Sequence, residues 1–112
     1  MLACHVTRCF ALGPAITLAW ELPDVRDLAI RLAVHRGRGP VFEGETSTRL
    51  LKRSFPDLVR HLARCGPFPH GVLLSTGTGI VPPDDLTLQA GDVVQVEIDQ
   101  IGALANPVVR LD

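Results

Sequence analysis

The chain has 112 residues, 46% of them hydrophobic and 21% charged, with a mean hydropathy of +0.25; this is the composition of a single globular domain and argues against disorder. A formal net charge of −1 and a pI near 6.4 give no electrostatic basis for binding nucleic acid or an anionic membrane. No apolar run has the length of a membrane-spanning helix and the opening MLACHVTRCF lacks the apolar core of a signal peptide, so a cytoplasmic location is expected.

Cys4, Cys9 and Cys65 form no even-numbered framework and read as free thiols. Cys4, His5 and Cys9 lack the second Cys/His pair that a four-ligand zinc site requires. Ala11-Leu12-Gly13-Pro14 signals a turn, and the apolar run from Ala15 to Trp20 is expected to form a buried strand with Trp20 in the core or at an interface. Glu21 to Asp27, interrupted by Pro23, reads as a loop.

From Ile30 the pattern alternates, with Ile30, Leu32 and Val34 on one face and Arg31, Ala33 and His35 on the other. Gly37-Arg38-Gly39-Pro40 turns the chain and Val41 to Gly44 starts the return strand of a hairpin. Arg31, Arg36 and Arg38 read as a solvated strand face and hairpin tip. A hydroxyl loop, Thr46-Ser47-Thr48, follows. The spacing then predicts a helix: Ser54 caps, Asp57 is the reciprocal acid, and Phe55, Leu58, Val59 and Leu62 make an apolar stripe. Pro56 is tolerated in the first turn, and Gly66-Pro67 ends the helix. His61 falls on the polar side, facing solvent.

Val72-Leu73-Leu74 is expected to be a buried strand that delivers Ser75-Thr76-Gly77-Thr78-Gly79 to a pocket mouth. Hydroxyls and glycines in that order bring backbone N–H groups near an anion. The same residues are ordinary strand-end turn formers, and that reading stands beside the functional one. Pro82-Pro83-Asp84-Asp85 must be irregular. Leu86 to Leu88 is expected as a short edge strand, Gly91-Asp92 as a turn, Val93 to Ile98 as an alternating strand, and Leu104 to Leu111 as the strand that closes the sheet. One compact α+β domain, mainly β, with a single short helix results.

The order Thr76-Gly77-Thr78, Leu88, Gly91-Asp92-Val93-Val94 and Ile101-Gly102-Ala103-Leu104-Ala105-Asn106-Pro107-Val108 resembles the C-terminal part of the fumarylacetoacetate hydrolase family. The turn at Leu12-Gly13-Pro14 and the segment from Glu43 to Leu62 extend the resemblance over about residues 8 to 111. Leu51-Lys52-Arg53-Ser54 and Gly77 to Pro83 look most like the branch that dehydrates sugar-derived 2-keto-3-deoxy acids. The resemblance implies a partial mixed β-sandwich roll, with residues 1–7 a divergent N-terminal segment and 8–112 the C-terminal part of the catalytic domain. It also implies a small-molecule 2-oxo acid as ligand, a homodimer, and Mg²⁺ as cofactor of the complete family domain, where the metal acts as Lewis acid on the 2-oxo acid. The substrate carboxylate would be held by Thr76, Gly77 and Thr78, with Thr78 foremost.

The family's metal ligands, a Glu-x-Glu pair and an Asp, belong to strands that precede this segment. Glu43 and Glu45 have the spacing but lie in the hydroxyl-loop segment. The family's lysine aligns with Cys4 and a nearby aromatic with Val6, and Lys52, the only lysine, sits in a different segment. The expectation is therefore no metal-binding or catalytic residue in this chain and no activity from it alone. The alternative is a non-catalytic β-rich binding or assembly module on the same scaffold.

Overall fold

The computed structural model describes residues 10–111. The readings placed on Cys4, His5, Val6 and Cys9, and on the 1–7 segment, lie outside the described residues. A four-stranded sheet organises the rest, built from β1 (Ala29–Arg36), β2 (Gly39–Ser47), β3 (Val93–Ile98) and β4 (Gly102–Pro107), in the order β2-β1-β3-β4 with every neighbouring pair antiparallel. One helix, α1 (Phe55–Ala63), completes an α+β, mainly β architecture.

The expected hairpin is present, but its return strand starts at Gly39, so Gly37 and Arg38 alone form the tip. The register shifts between Val34 and His35: Val34 faces Phe42, His35 faces Pro40, and Val41 is the extra residue of a bulge. Pro40 is accommodated because β2 is an edge strand. Alternation puts Ile30, Leu32 and Val34 on one face of the sheet, beside Val94, Val96 and Ile98 of β3. Val34 is 2% exposed on that face, and Leu28, just ahead of β1, is 3% exposed.

The helix begins as its sequence dictates. Ser54 Oγ accepts from the Asp57 N–H at 3.2 Å and donates to Asp57 Oδ2 at 2.8 Å. Phe55, Leu58 and Leu62 are half-buried, whereas Val59 lies open to solvent, so the apolar stripe is one residue narrower than its spacing implies. His61 is exposed.

Three expected strands are absent. Residues 15–18 join no sheet and lead into a single 3-10 turn, Ala19–Glu21, in which Glu21 Oε2 accepts from the Leu18 N–H at 3.0 Å. Trp20 is 80% exposed there and is not a core residue. Val72-Leu73-Leu74 is unpaired and exposed rather than buried. Residues 86–88 are also unpaired, held by a turn from the Leu86 N–H to the Pro83 carbonyl and by Arg36 donating to the Thr87 carbonyl at 2.9 Å. The closing strand stops at Pro107, after which Val108 exchanges backbone hydrogen bonds with Gly91 and Asp92. In each case the apolar composition favours burial in an extended chain, but a strand exists only where a neighbour supplies its hydrogen bonds, and the runs at 15–20 and 72–74 are exposed instead.

Candidate functional site

On the face of the sheet that carries Ile30, Val96 and Ile98, a cavity of about 560 Å³ opens between two loops. One wall is Thr76-Gly77-Thr78-Gly79-Ile80; the other runs from Thr46 to Thr48 and on through Leu51, Lys52 and Phe55. The structure thus brings Thr76, Gly77 and Thr78 to one cavity together with the hydroxyl loop.

Each wall is fixed by its own sequence. Thr48 is tied to the start of β1 twice: its N–H donates to the Leu28 carbonyl at 3.0 Å, and its Oγ1 accepts from the Leu28 N–H at 3.0 Å. Ser47 Oγ accepts from the Arg49 N–H at 3.2 Å and so caps the 3-10 turn Thr48–Leu50. Opposite, Gly77 has φ +87°, a conformation that a side chain would strain. The loop rests on β2 through two glycines. A Cβ on Gly79 would lie 2.9 Å from Thr46 Oγ1, and one on Gly44 would lie 2.7 Å from Ile80 Cγ2. The absence of side chains at both positions lets the loop touch the strand.

Thr78, foremost in the sequence reading, uses its hydroxyl within the loop. Its Oγ1 donates to the Ile80 carbonyl and accepts from the Ile80 N–H, both at 3.1 Å. That is the turn-forming role that was open beside the functional one. The Thr76 hydroxyl makes no such bond among the described residues, so within the triplet it is the side chain left free to meet a ligand.

Among the described residues Lys52 is the one charged residue on the cavity wall, and none of the carboxylates among them lines it. Lys52 lies in a different segment from the family's lysine; its signal in the sequence is its nearness to the hydroxyl run at 46–48. Glu43 and Glu45, the residues of Glu-x-Glu spacing, line a different cavity of about 560 Å³, with Arg31, His35, Gln95 and Glu97. They alternate with Thr46 along β2 and therefore point to the opposite face of the sheet. A hard divalent cation needs oxygen ligands of which carboxylates are the usual core. The donor set around the Thr76–Thr78 cavity does not fit Mg²⁺, and among the described residues no group of three or more His, Cys, Asp or Glu side chains is placed to hold a metal.

The arginines read as a solvated run are in part ion-paired. Arg31 of β1 bridges to Glu97 at 3.1 Å and also to Asp99, and Arg36 grips Asp92 with Nε to Oδ1 and Nη2 to Oδ2, both at 2.8 Å. Arg38 remains exposed at the tip. Asp92, expected as a plain turn residue, is 1% exposed and accepts from the Gln89 N–H at 2.8 Å as well. The Arg36 guanidinium, with help from that N–H, holds its carboxyl down at about 2.

A mainly antiparallel sheet with one helix and a loop-walled cavity on one face defines an α+β domain, mainly β. The chain belongs to the family described as Fumarylacetoacetate (FAA) hydrolase C-terminal, whose model matches residues 3–109. It is 37% identical over 102 residues to the 2-dehydro-3-deoxy-D-arabinonate dehydratase of Saccharolobus solfataricus, covering 91% of this chain and 34% of that protein. It is 31% identical over 104 residues to a probable 2-keto-3-deoxyxylonate dehydratase of Haloferax volcanii, covering 93% and 36%. A solved 2-keto-3-deoxy-D-arabinonate dehydratase complexed with magnesium and 2,5-dioxopentanoate superposes with a TM-score of 0.84 at 35% identity, covering 88% of this chain and 35% of that one. The chain spans about a third of the length of these relatives. Among the described residues no helix is long and apolar enough to cross a membrane.

Proposed function

We propose that this chain is the C-terminal portion of a fumarylacetoacetase-like hydrolase or lyase acting on 2-oxo acids, and that it holds the substrate carboxylate on Thr76, Gly77 and Thr78. The observation that carries the reading is a loop of hydroxyls and a left-handed glycine that walls a cavity whose one charged residue, among the described residues, is a lysine. Such a surface offers donors and positive charge to an acid. Thr76 supplies the hydroxyl, and Thr78 holds the loop in shape through Ile80. The names of the relatives favour sugar-acid dehydration, a C–O cleavage, as the reaction to which this wall contributes. Because the cavity has no donor set for Mg²⁺, the chain by itself binds without turning over. Residues 8–112 are the family portion in this reading, 1–7 a divergent lead-in, and a cytoplasmic homodimer the working form.

Pyruvate titration followed by calorimetry and by amide chemical shifts, with and without Mg²⁺, tests both halves. Pyruvate is expected to shift the Thr76–Gly79 amides equally in the two conditions, and Thr76→Ala is expected to weaken it about 10-fold, the effect of one hydrogen bond to a charged group. Pyruvate binding that requires Mg²⁺ would overturn the metal-free reading, and an unshifted loop would overturn the carboxylate role.

A second reading, a non-catalytic binding or assembly module, is favoured by the exposed apolar residues Ile16, Trp20 and Leu73. It predicts partner binding that survives Thr76→Ala.

A further inference from the structure

We propose that Lys52 is a specificity-determining residue that holds the distal, oxygen-bearing end of a 2-oxo acid longer than pyruvate; this rests on the placement of the carboxylate at Thr76–Thr78. Four observations carry it. Lys52 is the only charged residue on the cavity wall among the described residues. It takes part in none of the ion pairs among the described residues, which engage Arg31, Arg36, Arg49 and Arg60 instead. Its segment is anchored on both sides, by Ser47 capping the turn before it and by Ser54 capping α1 after it, so the ammonium is delivered from a fixed backbone. Finally, the cavity that Lys52 shares with the Thr76–Thr78 loop is floored by the sheet residues Ile30, Val96 and Ile98, all apolar.

The consequence is a cavity with polar walls and a greasy floor. A carboxylate on the Thr76–Thr78 wall leaves the carbon chain over the floor and directs the far end toward Lys52. An ammonium is three donors with no acceptor, so it selects a hydroxyl, carbonyl or carboxylate oxygen there and gains nothing from a methyl. The volume, about 560 Å³, lies within the ordinary range of small-molecule pockets and leaves room for more than a three-carbon acid.

The test compares pyruvate with 2-keto-3-deoxygluconate, each carrying a single carboxylate, so that any general attraction by the lysine charge cancels. Affinities are read from amide shifts in the full chain and in Lys52→Met, which keeps the apolar stem and removes the ammonium. The expected result is an approximately 10-fold loss for 2-keto-3-deoxygluconate with less than a 2-fold change for pyruvate. Lys52→Arg, which preserves charge and donors, is expected to restore most of the loss. Equal loss for both acids, or none for either, would overturn the proposal while leaving the carboxylate reading intact. Failure of both acids to shift Thr76–Gly79 in the unaltered chain would instead overturn the carboxylate reading and the role of Lys52 with it. Thermal unfolding of each variant shows whether a loss comes from unfolding, and an unfolded Lys52→Met leaves Lys52→Gln to decide by the same comparison.

Discussion

Asp92 shows how one side chain can organise a region without touching a ligand. It is buried, and its carboxylate ties together Arg36 at the end of β1 and the Gln89 N–H in the unpaired stretch before β3. Arg36 passes the connection on to the Thr87 carbonyl. The folded-state carboxyl titrates at about 2, below its ordinary value of 3.8, so the stability it contributes is fully present above about pH 4 and is lost as the pH falls toward 2. Melting curves recorded from pH 7 to pH 2 are expected to show a decline across that window. Asp92→Asn should melt lower at neutral pH and lose less between pH 4 and pH 2, because it has no carboxylate there to protonate. Parallel curves for the two proteins would refute the assignment. The sequence displayed Gly91-Asp92 as a turn signal. What it did not display is the partner, because Arg36 lies 56 residues away and is brought near only by the pairing of β1 with β3.

At the scale of elements, those that carry their own local instructions were legible. The β1–β2 hairpin follows from alternation and a glycine turn, and α1 follows from Ser54, Pro56 and Asp57. Ser54→Ala is expected to destabilise the fold by about 1 kcal/mol, measured by urea unfolding, as the loss of a helix cap does. The unpaired runs at 15–18 and 72–74 were misread for a physical reason: Ile, Val and Leu report a preference for burial and say nothing about which strand supplies the hydrogen bonds. The contact between the Thr76–Ile80 loop and β2 was also hidden, since Gly44 and Gly79 are uninformative until they face Ile80 and Thr46. Gly44→Ala places a methyl within 2.7 Å of Ile80 Cγ2. It is expected to destabilise by about 1–3 kcal/mol, as overpacking does, and to change the amide shifts of Gly77–Ile80. If those shifts stay fixed, the loop does not depend on this contact.

For the whole molecule the outstanding quantity is surface. The described residues leave many large apolar side chains open to solvent. Ile16, Trp20, Leu73 and Val81 are each well over half exposed. Surface of that kind associates. Sedimentation velocity is expected to show a weight-average mass that rises with concentration, and the emission of Trp20, the single tryptophan, is expected to shift to shorter wavelength in step. A constant monomeric mass, with Trp20 emitting as a hydrated indole throughout, would rule this out.

The two walls of the cavity differ in how much variation they tolerate. The loop at 76–80 lies against β2 with bare backbone at Gly44 and Gly79, so it behaves as a fixed jaw held at those two glycines. The opposing residues Leu50, Leu51, Lys52 and Phe55 meet it across the cavity and form the exchangeable jaw. Retargeting of the cavity to other acids is therefore expected to come from libraries at 50, 51, 52 and 55, with Ser54 kept as the helix cap and the fixed jaw left untouched.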